Sequence, residues 1–489
     1  MRLRNAVPLL VLAALSVALG SCGGATDDTP LGPTDGSQPN IVFILTDDQD
    51  VATYDPRIMP LTRERVGQAG MTFQNAFVTN PVCCPSRATL LTGQYSHNHG
   101  VLTNEPPRGG FDKFRSEDRE RDTVPVWLSR AGYYTGLIGK YLNRYPEGAG
   151  NTYVPPGWHE WAVIFSNQGS DAYYNYSIND GGSVSNRGSQ TDDYITDVIL
   201  NRSLAFLRRA ETQDAKPFFL HITPNAPHRP AIPAPRHASA LPGIRMPRTP
   251  NWNEADISDK PRWLRDFFTA FTQDNENGID FLFQQRARSL LSVDEMVARV
   301  VDELTALGEL DKTYIFFTSD NGFLMGSHRF NRGKDAPYEE SIRVPLVVRG
   351  PGIRAGSTSE SYVLNNDFAP TMLALAGVPI PSTVDGRSFT PLLQGQKPSS
   401  WRDDFLIEHW APQGASTEDE NSAAIPDYAG VRTARHVYVE YVTGETELYD
   451  LQNDPYQLTS LHATASNSVV APLKSRLNAL RNCAGEGCR

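Results

Sequence analysis

The sequence predicts an α/β protein in which a large mixed sheet with helices on both faces is followed by a smaller α+β subdomain. Several continuous apolar runs end in polar or charged residues, as expected of buried strands whose carboxyl ends share one edge of a sheet. A segment with apolar residues at helical spacing lies directly before one of these runs, which indicates an αβ unit. The 489 residues are 39% hydrophobic and 21% charged, a composition that excludes a disordered or polytopic membrane protein.

The amino-terminal segment, residues 1–22, is predicted to be an export signal. Its apolar run, Val7–Leu19, follows two arginines and is shorter than the ~20 residues of a membrane span. It ends in Leu19-Gly-Ser-Cys22, which resembles the lipobox of bacterial lipoproteins. That resemblance implies a lipid on Cys22, membrane attachment through it, and an exported protein that faces outward or lies in the periplasm. An ordinary secretory signal with an incidental cysteine is the alternative, and residues 23–39 are predicted to be a flexible tether.

The main domain is predicted over residues 40–384. Its predicted strands are Asn40–Leu45, Tyr133–Ile138, Pro217–Ile222 and Thr313–Thr318. A capping-box pattern at Ser292–Glu295 predicts the start of a helix, and Gly308 predicts its end. The stretch Gln168–Arg187, rich in Gly, Asn, Tyr and Ser, is predicted to be an irregular loop.

The pattern changes after about Asp385, and residues 385–489 are predicted to form the α+β subdomain. Its β-like pieces are Trp401–His409, Tyr428–Tyr441 and Glu447–Tyr449. The final segment, Ser466–Arg481, has apolar residues at helical spacing. Cys483 and Cys488 could close a small disulfide loop in an exported protein, and free thiols are the alternative.

The charge balance limits the partners of the protein. Lys and Arg number 45 and Asp and Glu number 56, which gives a net charge of −11 at pH 7. An acidic chain argues against nonspecific nucleic-acid binding, because that binding needs a basic surface. A small anionic substrate is still compatible with this charge, since a few local cations can hold one.

Two pairs of oxygen-bearing side chains follow predicted strands. Asp47 and Asp48 come after the first strand, and Asp320 and Asn321 come after the strand that begins at Thr313. Adjacent like charges repel, and a divalent cation is the usual offset. Three carboxylates and one amide suit Ca²⁺ or Mg²⁺ better than Zn²⁺, which favours nitrogen and sulfur ligands. The alternative is that both pairs are turn residues.

The segment from Thr79 to Gly93 predicts a short helix with cysteines at its start. Pro85 suits a first helical turn, and Gly93 suits the end. Cys83 then lies at a helix amino terminus, where the dipole favours anions and a lowered thiol pKa, and Arg87 adds a fixed positive charge. These residues indicate a reactive cysteine beside an anion site, with buried inert thiols as the alternative.

The same segment carries a resemblance to a known family. Cys83-Cys-Pro-Ser-Arg87, followed by Leu91-Thr-Gly93, resembles the signature of the formylglycine-dependent sulfatases, with Cys83 as the modified residue. Further motifs occur in the family's order over about Asn40–Leu461. They are Asp47-Asp48, Gly139-Lys140, His228, Asp320-Asn-Gly322 and Gly333-Lys334. The resemblance implies an alkaline-phosphatase-like fold.

The resemblance also implies a set of roles. Cys83 would be oxidised to formylglycine by a formylglycine-generating enzyme, and one oxygen of its hydrated form would attack sulfur. Arg87 would hold the formylglycine hydroxyl. Lys140, His228 and Lys334 would contact sulfate, with His228 or Lys334 protonating the leaving oxygen. The implied ligands of Ca²⁺, with Mg²⁺ as a second possibility, are Asp47, Asp48, Cys83, Asp320 and Asn321.

One departure from the family pattern concerns the residues after Lys140. Many sulfatases carry a histidine two residues after this lysine, whereas here the sequence continues Tyr-Leu-Asn143, and Asn143 is expected to take a polar role in substrate binding. This form resembles the glucosamine-6-sulfatase branch, which acts on sulfated amino sugars. His97 and His99, just past the signature helix, are expected either to contact substrate hydroxyls or to pack at the helix end.

The predicted function is therefore hydrolysis of sulfate esters, with sulfated amino sugars or glycans such as N-acetylglucosamine-6-sulfate as substrates. Two alternatives stay open. One is a phosphate or phosphonate ester hydrolase with the same nucleophile and metal. The other is a lipoprotein that binds sulfated glycans without turnover and keeps Cys83 unmodified.

Overall fold

The computed structural model describes residues 38–165, 173–212, 216–413 and 424–489. The predicted export signal, Cys22 and nearly all of the predicted tether lie outside the described residues. Within the described ranges, no helix combines the length and the apolar character needed to cross a membrane.

Eleven strands of the described residues form one large mixed sheet. They are β1 Asn40–Thr46, β2 Met71–Phe77, β3 Tyr134–Gly139, β4 Glu160–Phe165, β5 Ser177–Asp180, β6 Ser183–Asn186, β7 Phe218–Thr223, β8 Thr313–Ser319, β9 Arg343–Arg349, β10 Ser357–Ser359 and β11 Val363–Leu364. Their order is β10-β2-β9-β8-β1-β7-β3-β4-β5-β6, and β11 pairs with β2. The pairs of β9 with β2 and β8, and of β5 with β4 and β6, are antiparallel, so the sheet is mixed as predicted.

The centre of the sheet, β8-β1-β7-β3, is parallel throughout. These are the four strands predicted from the apolar runs. Thr46 at the end of β1 lies opposite Ser319 at the end of β8, and Gly139 at the end of β3 lies opposite Thr223 at the end of β7. The four carboxyl ends therefore reach the same edge of the sheet, where ligands bind in open α/β folds.

Helices cover both faces of the large sheet. The helices of the described residues are α1 Pro60–Thr62, α2 Cys83–Thr92, α3 Ser96–His99, α4 Gly110–Ser116, α5 Val124–Arg130, α6 Ile195–Glu211, α7 Arg262–Phe267, α8 Gln273–Ala306, α9 Glu339–Ile342, α10 Phe368–Leu375, α11 Thr390–Leu393 and α12 Asn467–Leu480. Alternate residues of the central strands pack on opposite sides. Val42 lies in the core that includes α6 and α8, whereas Ile41 and Phe43 lie in the core that includes α5 and α10. Strands buried on both faces explain their continuous apolar runs.

Helix α8 begins earlier than the sequence pattern predicted. It runs for 34 residues, and its capping box is formed by Thr272 and Asn275 rather than by Ser292 and Glu295. Ser292 lies inside the helix and is buried. Ile279 and Phe283 upstream already belong to the apolar face, so the helix gains buried area from its second turn onward. The predicted end is confirmed, because Gly308 follows with a φ of +76°.

The predicted irregular loop over Gln168–Arg187 is wrong for its second half. Strands β5 and β6 form an antiparallel hairpin there, closed by Gly181 and Gly182, which have φ values of +57° and +93°. Two consecutive residues with positive φ suit a tight hairpin turn, for which glycine is favoured. The polar composition hid this edge hairpin, since all four residues of β6 are exposed.

A second sheet of four antiparallel strands follows in the chain. Its strands are β12 Asp404–His409, β13 Tyr428–Thr433, β14 His436–Tyr441 and β15 Thr446–Asp450, in that order. Leu473 and Leu477 of α12 pack with this sheet, and Cys483 and Cys488 form a disulfide beside them. The boundary predicted at residue 385 stays a prediction; Leu392 and Leu393 of α11 still pack with the large sheet.

Candidate active site

The polar residues that follow the central strands converge at one edge of the large sheet. Asp47 and Asp48 follow β1, and Asp320 and Asn321 follow β8. Lys140 follows β3 directly, and its backbone N–H donates to the carbonyl oxygen of Thr223 at the end of β7. The parallel order of these strands brings side chains together that are far apart in sequence.

Cys83 meets this group from the start of α2. It is fully buried, and its Sγ lies 3.3 Å from Asp47 Oδ1 and 2.9 Å from Lys334 Nζ. Pro85 lies in the first turn of the helix, and Gly93 ends the helix with a φ of +71°, as the sequence predicted. The side chain at position 83 therefore points into the acidic group at the sheet edge.

The acidic group has the chemistry of a site for a hard divalent cation. One ligand atom each from Asp47, Asp48, Cys83 and Asp320 lies within 4.8 Å of the others, and all four residues are buried. Asn321 Nδ2 donates to Asp48 Oδ1 at 2.7 Å, whereas the buried Asn321 Oδ1 has no hydrogen-bond donor among the described residues. Carboxylate and amide oxygens in this number fit Ca²⁺ or Mg²⁺, and an orphaned buried oxygen is costly without a partner.

Three cations balance the three carboxylates of the site. Arg87 Nε lies 2.8 Å from Asp320 Oδ2, Lys140 Nζ 2.6 Å from Asp47 Oδ2, and Lys334 Nζ 2.8 Å from Asp48 Oδ1. Five of these six side chains are exposed by 3% or less, and the sixth, Lys140, is exposed by 15%. Buried ion pairs of this kind fix the orientation of each side chain, and removing one partner leaves an unpaired buried charge.

The electrostatics of the carboxylates differ from one to the next. Burial alone would raise the pKa of Asp47, but Lys140, His228 and Arg87 together hold it well below its usual range. Burial would also raise the pKa of Asp48, but the positive charges of Lys334 and His228 lower it to about 2. Burial and the negative charge of Asp47 raise the pKa of Asp320 to about 6. Of the three carboxylates, Asp320 is thus the one whose charged form is least stabilised, and a bound cation would favour that form.

The thiol of Cys83 departs from the sequence-based expectation. Burial raises its pKa well above the usual value, and Asp47 and Asp320 act in the same direction against Lys140 and Lys334. The helix amino terminus and nearby cations therefore do not produce a reactive thiolate, because desolvation outweighs them.

The site opens to solvent on the side of Lys140 and His228. Their side chains are exposed by 15% and 18%, whereas Lys334 is buried. His228 Nδ1 lies 2.7 Å from the carbonyl oxygen of Arg229, and its Nε2 lies 3.7 Å from Asp48 Oδ2. Because only a protonated Nδ1 can bond to that carbonyl, Nε2 is the nitrogen left to face the reacting groups.

His97 and His99 make hydrogen bonds inside the protein, which favours helix-end packing over the substrate contacts that were the other expectation. The His97 ring lies 2.8 Å from Glu408 Oε2 and 3.0 Å from the carbonyl oxygen of Cys483. His99 is fully buried between Thr89 and the backbone of Val101. Both rings have their nitrogens occupied inside the protein, so the helix-end alternative is the one that the structure favours.

Asn143 follows β3 with Lys140 and is also buried. Its backbone carbonyl accepts a hydrogen bond from Phe111 N–H at 2.8 Å. The expected role of its side chain in substrate binding stays a prediction.

Three polar residues around the site were given no role from the sequence, although Ser86 is part of the signature. Ser86 donates from its hydroxyl to the carbonyl of Asp320, and Asn365 donates to Ser86 at 3.0 Å, which ties α2 to the end of β8. Arg286 of α8 is fully buried and donates to the carbonyl of Asp48 at 2.6 Å. An arginine within the apolar face of α8 was the available signal, since a buried charge needs a partner.

Comparisons with known proteins agree with this geometry. A family model described as Sulfatase matches residues 39–378, and a second, described as N-sulphoglucosamine sulphohydrolase, C-terminal, matches residues 326–483. The human N-acetylglucosamine-6-sulfatase is 36% identical over 98% of this chain and 90% of its own length.

Solved structures share the fold. A protein solved in complex with its substrate D-glucosamine-2-N,6-O-disulfate superposes with a TM-score of 0.75 at 26% identity, over 90% of this chain and 97% of its own. The phosphonate monoester hydrolase from Silicibacter pomeroyi superposes with a TM-score of 0.72 at 23% identity, over 91% of this chain and 96% of its own. The latter likeness shows the alkaline-phosphatase-like fold alone.

Proposed function

The chain belongs to the sulfatase family, and from this premise we propose that it hydrolyses the 6-sulfate ester of glucosamine residues in sulfated glycans. The products are inorganic sulfate and the free sugar hydroxyl. The similarity to N-acetylglucosamine-6-sulfatase over nearly the full length supports this substrate, as does the likeness to the protein solved with a glucosamine disulfate.

One observation carries the proposal: Cys83 is buried beside Asp47, Asp48 and Lys334 at the edge of the sheet. Its Sγ contacts Asp47 and Lys334, and Arg87 and Lys140 lie in the same charged cluster. A site for sulfate ester cleavage needs a nucleophile among cations that balance the charge of the sulfate oxygens. The cluster supplies the cations, and residue 83 is placed where the nucleophile would have to be.

A modification and a metal complete the proposed site. Formylglycine derived from Cys83 by a maturation enzyme supplies, once hydrated, the oxygen nucleophile that a buried thiol cannot. Asp47, Asp48, Asp320 and Asn321 would hold Ca²⁺, or Mg²⁺ in its place, through oxygen ligands.

The remaining residues have distinct tasks in the proposal. Arg87, anchored on Asp320, orients the side chain at position 83. Lys140 and Lys334 bind sulfate oxygens and neutralise their charge. His228 holds a proton at Nε2 and delivers it to the leaving sugar oxygen, because it lies at the open side where that oxygen must be. Lys334 is the alternative proton donor, and its burial against Asp48 makes it the less accessible one.

Parallel assays test the function. We expect purified, matured enzyme to release sulfate from N-acetylglucosamine-6-sulfate, followed by ion chromatography, and to lose that activity in Cys83→Ala. Enzyme treated with a chelator should lose activity and regain it with Ca²⁺ or Mg²⁺. Faster turnover of an aryl phosphonate than of any sulfate ester would instead assign the phosphonate hydrolase alternative. Tight sugar binding without turnover by protein with an unmodified Cys83 would assign the binding alternative.

The protein is further proposed to be an exported lipoprotein anchored through Cys22. The lipobox-like end of residues 1–22 supports this location, as does the disulfide of Cys483 and Cys488, which is a bond typical of oxidising compartments. Mass spectrometry of the mature amino terminus checks it. A diacylated Cys22 is expected, and release of a Cys22→Ala variant from the membrane fraction should follow.

A further inference from the structure

Helix α8 places a buried guanidinium against the loops of the candidate active site. Arg286 lies on the buried face of the helix, and its side chain is fully buried. A guanidinium remains charged when it is buried, and a buried charge is costly unless acceptors surround it. The acceptors that Arg286 contacts therefore indicate what its burial accomplishes.

The three acceptors of Arg286 lie on two different loops. Its Nη2 donates to the carbonyl oxygen of Asp48 at 2.6 Å and to Asp50 Oδ2 at 2.9 Å, both in the loop after β1. Its Nη1 donates to the carbonyl oxygen of Pro227 at 3.3 Å, in the loop after β7. One rigid, planar group thus holds the loop that carries two of the expected metal ligands and the loop that carries His228.

A third segment of the site contacts the same guanidinium. Its carbon Cζ lies 4.3 Å from the centroid of the Phe323 ring, within the distance of a cation–π contact. Phe323 follows Asp320 and Asn321, the oxygen-bearing residues after β8. The segments after β1, β7 and β8 therefore all meet one side chain of α8.

The contact with Pro227 bears on His228 because the two residues belong to one turn. The N–H of His228 donates to the carbonyl oxygen of Asn225 at 2.9 Å, which closes the turn around Pro227. Tyr173 is fully buried and donates from its hydroxyl to the carbonyl oxygen of His228 at 2.8 Å. A shift of this turn would move the imidazole, and a displacement of about 1 Å is enough to lower a rate about a hundredfold.

Another buried arginine provides a contrast. The guanidinium of Arg402 donates through both terminal nitrogens to the two carboxylate oxygens of Asp367, which makes a two-point ion pair. Arg286 instead gives two of its three hydrogen bonds to backbone carbonyls, those of Asp48 and Pro227. Because such bonds fix the path of the chain, the arrangement of Arg286 suits the positioning of loops.

We propose that Arg286 is a positioning residue that couples the metal site to the proton donor. Its guanidinium holds the loop after β1 and the turn around Pro227 at a fixed separation, so that the metal ligands and His228 face the same substrate. The inference rests on the proposed function, because that function assigns the metal and the proton donor. A lysine at this position does not replace the arginine, since its ammonium is a single point on a flexible stem and cannot span both loops.

Arg286→Lys tests the coupling, because it keeps a positive charge beside Asp50 and loses the fork of donors. Two quantities are measured in protein that circular dichroism shows to be folded. One is the Kd of Ca²⁺ for the metal-free protein, from calorimetric titration. The other is the ratio of kcat on N-acetylglucosamine-6-sulfate to kcat on nitrophenyl sulfate at saturating Ca²⁺, which falls when the proton donor is displaced. We expect the Kd to rise about tenfold and the ratio to fall about tenfold.

Two further variants separate the parts of the coupling. Tyr173→Phe removes the hydroxyl that holds the His228 backbone and keeps Arg286, so we expect a lower ratio with an unchanged Kd. Arg288→Lys is the matched control, a half-buried arginine of the same helix whose Nε donates to the carbonyl oxygen of Ala240. Both quantities should keep their wild-type values in it.

Hydrogen exchange of the wild type provides a test that needs no variant. We expect Ca²⁺ to slow the exchange of the backbone N–H groups of His228 and Ala231, which donate to the carbonyl oxygens of Asn225 and His228 within the loop after β7. Exchange that Ca²⁺ leaves unchanged at both groups would overturn the coupling.

The outcomes for Arg286→Lys decide the inference separately from the proposed function. Wild-type values of both quantities in the folded variant overturn the inference, and so does a change in only one of them, because the guanidinium would then hold a single loop. If the wild type turns over no sulfate ester, the proposed function fails, and the Kd of Ca²⁺ together with hydrogen exchange decides the inference. Hydrogen exchange alone decides it if the variant does not fold.

Discussion

Each charged residue of the site has a partner of opposite charge within the site. Arg87, Lys140 and Lys334 pair with Asp320, Asp47 and Asp48. Replacing any of them leaves an unpaired charge in a buried place, which destabilises the fold as well as the chemistry. His228 is different, because its close hydrogen bond goes to a backbone carbonyl and its side chain is partly exposed. It is therefore the residue whose substitution reports most cleanly on catalysis.

His228→Gln should lower kcat on N-acetylglucosamine-6-sulfate by roughly 10²–10⁴, the usual contribution of a positioned acid. The same variant should lose far less activity on a nitrophenyl sulfate, because a good leaving group departs without a proton. Steady-state kinetics on both substrates check this, with His237→Gln, a histidine that pairs with Glu295, as control. Equal losses on both substrates would show that His228 binds sulfate rather than protonates the leaving oxygen.

His99 stabilises the fold only in its neutral form. Burial lowers its pKa to about 3, and Val101 N–H donates to Nδ1 at 3.1 Å, so that nitrogen cannot carry a proton. In the unfolded chain the histidine binds a proton near pH 6.5. The unfolded state therefore binds more protons below pH 6.5, and the stabilisation by the neutral ring, complete above that pH, is lost as the pH falls.

His99→Gln tests this linkage. As the pH is lowered from 6.5 to 4, the free energy of unfolding of the wild type should fall relative to that of the variant by about 1 kcal/mol per pH unit. Urea unfolding at a series of pH values measures the difference. If the free energies of unfolding of wild type and variant differ by the same amount at every pH, His99 takes up a proton in the folded protein.

The sequence led to the residues of the site by two different routes. Asp47, Asp48, Asp320 and Asn321 follow from residue chemistry and their position after predicted strands, whereas Lys140 and Lys334 depended on the family resemblance. The sequence could not decide between the two expected roles of His97, because its partners, Glu408 and the carbonyl of Cys483, lie more than 300 residues away in sequence. No local sequence pattern indicates such a contact.

At the scale of elements, α8 contacts the loop after β1 that carries Asp47 and Asp48. Arg286 projects from its buried face and donates to the Asp48 carbonyl at 2.6 Å and to Asp50 Oδ2 at 2.9 Å. Asp48 adopts a left-handed backbone with a φ of +65°, a conformation that is sparsely populated for residues other than glycine. Arg286 therefore supports the loop that carries Asp47 and Asp48.

Arg286→Met should destabilise the protein by about 3–5 kcal/mol, because Asp50 is left buried without its partner. Thermal or urea unfolding measures the loss. Arg288→Met, two positions along the same helix at a half-buried site, is the matched control, with an expected change of under about 1 kcal/mol. Equal stability of the two variants would contradict the assigned role of Arg286.

Elements were predictable where apolar periodicity was strong. The four central strands were expected within about a residue of their observed bounds. The start of α8 was missed because the capping pattern at Ser292 is also compatible with the interior of a longer helix. The hairpin of β5 and β6 was missed because both exposed strands and loops are polar, and only pairing with β4 distinguishes them.

At the scale of the whole molecule, the net charge of −11 repels an anionic substrate, whereas the cations at the sheet edge attract it. A short acidic oligosaccharide reaches those cations with little repulsion, whereas a long polyanion also lies against the acidic surface. Because the site is locally positive and the whole molecule is negative, we expect short fragments and chain ends to be better substrates than long polyanions.

We predict that, in low salt, an intact sulfated polysaccharide is hydrolysed more slowly per 6-sulfated chain end than a short fragment. Raising the salt concentration to physiological strength should narrow the gap, since the screening length falls to about 8 Å. Initial rates of sulfate release at several ionic strengths measure this. Equal rates for polymer and fragment in low salt would contradict the prediction.

The fold class of the whole molecule was predicted correctly, but the strand order was not accessible. The order of β8, β1, β7 and β3 depends on contacts between segments hundreds of residues apart. That order is what brings Asp47, Lys140 and Asp320 to one place. The sequence could therefore indicate the site residues before it could show that they meet.

The measurement that tests the central claim most directly is the mass of the proteolytic peptide that contains Cys83, from enzyme purified from its native host and active on the 6-sulfate. The account predicts the mass of a side chain in which aldehyde replaces the thiol at residue 83, with Cys84 unmodified. An unmodified cysteine at full occupancy in enzyme that still releases sulfate would contradict it, because the nucleophile would then have to come from another residue.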